Sequence, residues 1–299
     1  MASVHLRAAT RGSRLARLQT DLVAAMLGPD VTVEPVVVST VGDRRQDVRL
    51  HEIGGQGVFV KEVQEAVLDG RADIAVHSAK DLPATQAEGL TIAAVPERED
   101  PRDALVGCAM DDLGPGARIG TGSVRRRAQL AAIRPDLTFG ELRGNIETRL
   151  QKAADFDAIV VALAALKRLG LDDRVDEVLD PALLVPQVGQ GALAVECRAD
   201  DDATRAAVAS IEHAPSRAAV DAERAFLAAV GGGCELPIAG HAIVGGDGHL
   251  ELRAMIATFD GRRVLRASRD GDDPVDVGRE LADHLLHTAG GAALLAELG

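Results

Sequence analysis

Along the front half of this chain, short apolar runs alternate with segments whose apolar residues recur at helical spacing. "VHLRAAT" leads into a helix that Ser13 can cap and that runs through Leu27. "VTVEPVVVST" follows as a second strand, with Pro35 marking an edge or an irregularity. Beyond a polar, glycine-rich stretch from Gly42 to Gly57, "VFVKEVQEAVLDG" sets Val60, Val63, Ala66 and Val67 on one helical face. "ADIAVHS" is then a short buried strand whose end delivers His77, Ser78, Lys80 and Asp81. Charge and prolines in "PEREDPRDAL" break the pattern, and the alternation starts again. Strand "ARIGTG", helix "SVRRRAQLAAI", strand "LTFGEL", helix "NIETRLQKAA" and strand "DAIVVAL" succeed one another. Such alternation builds parallel sheets covered by helices, and these bind ligands at the carboxyl ends of their strands.

A chain of 299 residues exceeds one hydrophobic core, so two or three domains are expected. "PQVGQGALAVECR" reads as a return to the first domain, and from about Pro215 the pattern changes to a helix, a glycine break, short strands and a terminal helix. The expected division is 1–97 plus about 190–210, then 98–189, then an α+β unit over 214–299. With 2% aromatics and neither Trp nor Tyr, the cores must be built from Ala, Val, Leu and Ile. Single-stranded nucleic acid, which is held by aromatic stacking, is thereby disfavoured. A net charge of -13, with most of the excess acid in the back half, argues against DNA and anionic membranes as partners. "MASVHLRAATRGSRLARLQ" lacks the apolar segment of a signal peptide, and no apolar run reaches the length of a membrane span. Cys108, Cys197 and Cys234 are dispersed and lack metal-ligand spacing. A reduced cytoplasmic chain without a metal is expected.

Against this acidity, Arg125, Arg126 and Arg127 stand together just after the small-residue turn "GTGS". Successive helical residues lie about 100° apart, so at most two can face a ligand, and Arg127 is left to solvent. Free amides at a helix start, the hydroxyls of Thr121 and Ser123, and guanidinium forks together suit a carboxylate or phosphate. An ion-pair cluster at the surface is the competing reading. "LRAATRGSR", with Arg7 and Arg11, and "LRGNIETRL", with Arg143 and Arg149, repeat the arrangement at other strand ends. Each could equally be a structural ion pair, but three such segments suggest a site for several carboxylates. In "HSAKD", Asp81 could stabilise a developing cation or relay a proton, with Lys80 binding an acidic ligand; an ordinary turn pair is the alternative. His77 reads as a packed strand-end residue. Cys108 and Cys197 fall within expected strands, whereas the glycines before Cys234 would let a backbone loop approach a bound molecule. That placement makes Cys234 a candidate nucleophilic or modified thiol.

Taken in order, "LRAATRGSRLA", "GGQGVFVKE", "RADIAVHSAKDLP", "EREDPRDAL", "IGTGSVRRRAQL", "RPDL", "LRGNIETRL", "LKRLGL", "VGQGALAVECR" and "GGGCELPI" resemble the porphobilinogen deaminase (hydroxymethylbilane synthase) family over nearly the whole chain. The resemblance implies an α/β fold of two periplasmic-binding-protein-like (type II) domains with a cleft between them, plus a smaller C-terminal α+β domain. It implies a dipyrromethane cofactor, made from two porphobilinogen units and attached to Cys234 through a thioether. Four further porphobilinogens would be joined head to tail with loss of ammonia, and hydrolysis would free hydroxymethylbilane. Every pyrrole carries an acetate and a propionate, so the growing chain is a polyanion. By the match, Arg7, Arg11, Arg125, Arg126, Arg143, Arg149 and Arg168 would bind these carboxylates, with Ser78, Thr121, Ser123, Gly144 and backbone amides. Lys80 would contact the cofactor's acidic groups, Asp81 would face the pyrrole N–H groups and the cation formed on deamination, and Phe59 would pack near the reacting rings. Gln56, Val41 and Arg14 depart from residues common in the family, and the first two bear on the electrostatics of the glycine loop, which reads as a flexible loop before a helix and could also serve as a lid. A monomer is implied. The competing classes are a non-catalytic two-domain carboxylate-binding protein, which would need neither Cys234 nor Asp81, and a phosphate-ligand transferase, which would want a phosphate loop.

Overall fold

The computed structural model describes residues 4–40, 57, 59–233 and 235–298. They gather into two compact units, Met1–Glu99 with Ala192–Arg217 and Asp100–Gly191 with Ala218–Gly299.

In the first unit, strand β1 (Val4–Arg11) feeds helix α1 (Arg14–Leu27), and the Ser13 hydroxyl caps that helix by accepting the Ala16 N–H. Strand β2 (Val31–Val38) contains Pro35 and is indeed the sheet edge, where a missing N–H does least harm. Helix α2 (Lys61–Leu68), strand β3 (Ile74–Ser78) and strand β4 (Leu90–Ala94) follow. The sheet order is β2-β1-β3-β10-β4, completed by β10 (Leu193–Arg198) from much later in the chain. Strict alternation along the strands divides the core into two. Leu6, Ala8, Ile74, Val76 and Val195 pack beneath Val23 and Leu27 of α1, while Ala9 and Ala75 pack beneath Val63, Ala66 and Val67 of α2. The α2 helix starts at Lys61, later than its apolar pattern, because Phe59 and Val60 still lie in a turn.

The second unit begins with β5 (Asp103–Val106) and β6 (Arg118–Gly120), then helix α3 (Val124–Ile133) and β7 (Thr138–Gly140). Helix α4 (Ile146–Gln151), β8 (Ala158–Ala162), α5 (Leu163–Leu169) and β9 (Glu177–Val178) complete a sheet of order β7-β6-β8-β5-β9. "NIETRLQKAA" is divided, because α4 tightens into a 3-10 turn over Lys152–Asp155. Cys108 lies past the end of β5 rather than inside it.

Both sheets have the same plan: second strand, first, third, an antiparallel strand, and an edge. β1 and β6 run parallel to both their neighbours, whereas β10 and β5 run antiparallel to theirs. The parallel strands that the alternation indicated are therefore joined in each sheet by one antiparallel strand. β5 opens the second unit and β10 is the strand with which the chain returns to the first, and an antiparallel neighbour needs no crossover helix to reach its place.

Helix α6 (Asp202–Val208) ends the return segment. Helix α7 (Ala214–Val230) leads to an antiparallel meander of β11 (Ile238–Val244), β12 (Leu250–Ala257) and β13 (Val264–Gly271), then α8 (Pro274–Asp283) and α9 (Gly291–Ala296). Phe226, Leu252, Ile256, Leu281 and Leu285 form its core. A smaller cluster of Ala128, Val185, Ala239, Met255 and Ala257 joins this sheet to α3. Gly261 closes the β12–β13 turn at φ 71°, where an added Cβ would stand 2.2 Å from the Ala128 carbonyl oxygen. No helix among the described residues is long and apolar enough to cross a membrane.

Candidate active site

In the first unit the polar residues gather at the ends of the parallel strands. Arg11, the last residue of β1, holds its guanidinium 4.2 Å from the centre of the Phe59 ring. β3 ends at Ser78 and passes into one 3-10 turn, Ala79–Asp81, anchored by the Ala79 N–H on the Ala192 carbonyl at 3.0 Å. The Ser78 hydroxyl accepts from Nε2 of buried Gln19 on α1 at 2.9 Å. Lys80 and Asp81 are half-buried. Asp81 has no hydrogen bond or ion pair with any described residue.

His77 points to the opposite face and is buried, as its strand-end position suggested. Its Nε2 lies 3.1 Å from Oε2 of Glu196, an ion-pair distance, though off the line of a good N–H···O bond. Burial would push the Glu196 carboxyl up, but His77 and the amides of Gln64 and Gln86 outweigh it and hold the group below its ordinary value.

Arg7 calls for a correction. Instead of presenting a free guanidinium, it grips Asp73 through both Nε (3.1 Å) and Nη2 (2.7 Å), and its backbone N–H adds a third bond at 2.8 Å. Four positions before the strand end, it closes a structural ion pair at the opposite end of the sheet from Asp81.

In the second unit the turn after β6 carries Thr121 and Ser123. Thr121 Oγ1 accepts the Ser123 N–H at 3.2 Å, and Ser123 Oγ caps α3 by accepting the Arg126 N–H at 3.4 Å. Arg125 and Arg126 form an ion-pair cluster, but a buried one: they are 3% and 6% exposed. Arg125 Nη2 meets Asp103 Oδ2 at 2.7 Å and its Nη1 meets the Val185 carbonyl at 2.7 Å. Arg126 reaches Asp103 Oδ1 through Nη2 at 2.7 Å and the Val160 carbonyl through Nη1 at 3.0 Å. Arg126 Nε at 3.1 Å and Gln190 Nε2 at 2.8 Å add two further donors to Asp103 Oδ1. Burial alone would raise Asp103; two adjacent guanidiniums overcome it and keep the carboxyl far below the usual range. Arg127 is exposed and lies over Phe139, as the helical geometry required.

The turn after β7 supplies Arg143, whose Nη1 is buried and has no hydrogen-bond partner among the described residues. Gly144 beside it adopts φ 114°, where a Cβ would meet Thr148 at 2.8 Å, and its carbonyl accepts Arg149 Nε at 2.9 Å. Arg168, in the last turn of α5, donates to the Gly191 carbonyl at 2.7 Å. Cys234, Gln56 and Val41 lie outside the described residues.

Four residues that sequence reasoning passed over organise these groups: Asp103, Gln190, Gln19 and Glu196. The signal was present, since Asp103 and Glu196 are acids set against apolar strand residues in "DALV" and "LAVECR".

The first unit thus presents a strand-end turn with an unpartnered carboxylate, and the second presents arginine-rich turns with a buried, unsatisfied donor that suits an anion. The family model for porphobilinogen deaminase, dipyromethane cofactor binding domain, matches residues 6–206, and that for porphobilinogen deaminase, C-terminal domain, matches 218–287. The porphobilinogen deaminase of Roseiflexus castenholzii is 49% identical over 297 residues, covering 96% of this chain and 97% of its own. That of Trichlorobacter lovleyi is 47% identical over 307 residues, covering 100% and 98%. Among solved structures, a periplasmic binding protein from Salmonella typhimurium with high arginine specificity is similar at a TM-score of 0.39, with 13% identity over 70% of this chain and 91% of that one. By its family models and its full-length relatives, this chain belongs to the porphobilinogen deaminase family.

Proposed function

We propose that the chain is a transferase that condenses four porphobilinogen molecules head to tail, releasing ammonia and finally hydroxymethylbilane. Membership of the family supports the reaction, and the observation that carries the residue assignment is the unpartnered, half-buried carboxylate of Asp81. Porphobilinogen is electron-rich and leaves a cation when it loses ammonia. A fixed carboxylate near that charge lowers the barrier, most effectively where solvent is partly excluded. Asp81 fills that role, accepts hydrogen bonds from pyrrole N–H groups and can take up a proton as each ring is joined.

The donor set fits a dipyrromethane bearing acetate and propionate. Arg143 Nη1 is a buried donor lacking an acceptor, a costly condition that an incoming carboxylate relieves. When bound through Cys234, the group supplies a covalent primer that keeps the growing chain on the protein. In this reading Arg11, Lys80 and Ser78 of the first unit, and Thr121, Arg143, Arg149 and Arg168 of the second, bind its carboxylates. Arg125 and Arg126 stand at the helix start that Ser123 caps, where their guanidiniums and the helix amides favour an anion. Phe59 offers an apolar face next to Arg11. A C-terminal domain over 214–299 carries the attachment point in this reading, with 1–97 plus about 190–210 and 98–189 as the other two. A cytoplasmic monomer is the setting it implies.

Asp81→Asn tests the assignment. Intact mass is expected to show the pyrrole adduct retained, while turnover falls on the order of a hundredfold or more. Normal turnover in that variant would remove Asp81 from the mechanism.

A further inference from the structure

Glu196 is 1% exposed in the middle of the apolar strand β10. A buried carboxylate is costly unless donors surround it; two amides donate to this one, and the His77 imidazole lies at ion-pair distance. Gln64 of α2 donates from Nε2 to Oε2 at 2.8 Å, Gln86 donates from Nε2 to Oε1 at 2.8 Å, and His77 Nε2 stands 3.1 Å from Oε2. The sequence positions of these groups give the contact its meaning. His77 immediately precedes Ser78, and Gln86 follows Asp81 in the same loop, so one carboxylate pins both feet of the turn that carries Ser78, Lys80 and Asp81. Gln64 extends the grip to α2, just beyond Phe59. Where the chain approaches α2, Gly57 sits so close to Pro83 of the turn that an added Cβ would stand 3.3 Å from Pro83 Cγ. On the other face of β3, Gln19 fixes Ser78.

Apolar residues of similar volume usually stabilise a core as well as a buried ion does, so an ion retained there is better explained by geometry than by stability. We propose that Glu196 is a positioning residue: by holding His77 and Gln86 it fixes where the Asp81 carboxylate stands, without touching substrate itself. The proposal rests on the reading that Asp81 is the catalytic carboxylate.

The test is steady-state kinetics with porphobilinogen on the holoenzyme of wild type, Glu196→Gln and Gln86→Leu, with intact mass recorded for each. Glu196→Gln puts an amide N–H2 among donors and removes the charge facing His77. Its kcat is expected to fall ten- to a hundredfold with KM within about threefold, because the carboxylate-binding arginines are untouched. The pyrrole adduct should remain. Gln86→Leu, which frees one foot of the turn and leaves the His77 contact intact, is expected to lower kcat severalfold, and it carries the test should Glu196→Gln not fold. A double-mutant cycle separates positioning from general stability: in an Asp81→Asn background, Glu196→Gln should cost little further rate in single turnover. An unchanged kcat in the folded single variants, or a full additive loss in the cycle, would overturn the proposal. A wild type with neither adduct nor turnover would instead overturn the functional reading beneath it.

Discussion

Arg7 and Arg143 are both arginines in strand-end segments of similar appearance, and their surroundings give them opposite roles. Arg7 is matched by Asp73, whereas Arg143 buries a donor with no described acceptor. Arg7→Leu is therefore expected to leave porphobilinogen turnover within about twofold of wild type, since an ion pair this exposed contributes little beyond its own contact. Arg143→Leu should slow chain growth at least about tenfold, read by following the mass of the protein-bound pyrrole chain, while thermal unfolding stays unchanged or rises. Equal elongation rates for Arg143→Leu and wild type would remove that residue from binding. Asp103 sits at the other extreme, fully buried against two guanidiniums. Asp103→Asn removes the buried carboxylate charge that Arg125 and Arg126 both pair with and should cost about 3–5 kcal/mol in urea unfolding. A loss below about 1 kcal/mol would show that the cluster does not depend on the charge. No sequence pattern distinguishes these cases, because the partner of each arginine is brought in by the fold: Asp73 by β-pairing, Asp103 by a strand that enters from another part of the chain.

At the level of elements, the alternating pattern revealed most of the fold. Ser13, Ser123 and Asn145 cap α1, α3 and α4 where small polar residues precede helical repeats, and Pro35 marks an edge strand. The antiparallel placement of β5 and β10 was not legible. Apolar runs such as "DALV" and "LAVECR" read alike whichever way they run in a sheet. The helix pair α7–α8 likewise depends on a residue with no periodic signature: a Cβ on Gly278 would lie 2.4 Å from the Ala222 carbonyl oxygen and 2.8 Å from Ala225 Cβ. Gly278→Ala should force these helices apart and cost about 1–3 kcal/mol, measured by chemical denaturation. An unchanged midpoint would mean that the packing yields without strain.

For the whole molecule, the distribution of depressed carboxyls sets the response to acid. Asp73, Asp100, Asp103, Asp201 and Glu196 are all held below their ordinary values, chiefly by arginine partners, hydrogen bonds or His77 opposing the effect of burial. Such groups bind fewer protons folded than unfolded. Their stabilisation is present above the unfolded-chain range near pH 4 and is lost as pH falls through the folded values. Exposed His249, raised by Asp272 and Asp270, runs the opposite way and loses its contribution as pH rises, but it is a single surface group. Unfolding free energy measured in urea should therefore drop steadily below about pH 4; a flat profile down to about pH 2.5 would contradict this balance.

The family signature was legible across nearly the entire sequence because it is carried by ordered turns and strand ends, the places where function concentrates. The thiol assigned as the attachment point is also a sequence inference, with α7 ending at Val230 and β11 starting at Ile238 on either side of it. Intact mass spectrometry of the wild type and of Cys234→Ser is thus the most direct measurement. The wild type should carry two pyrrole units and gain further ones on incubation with porphobilinogen, while Cys234→Ser carries none. A wild type that turns over porphobilinogen with an unmodified chain would contradict it.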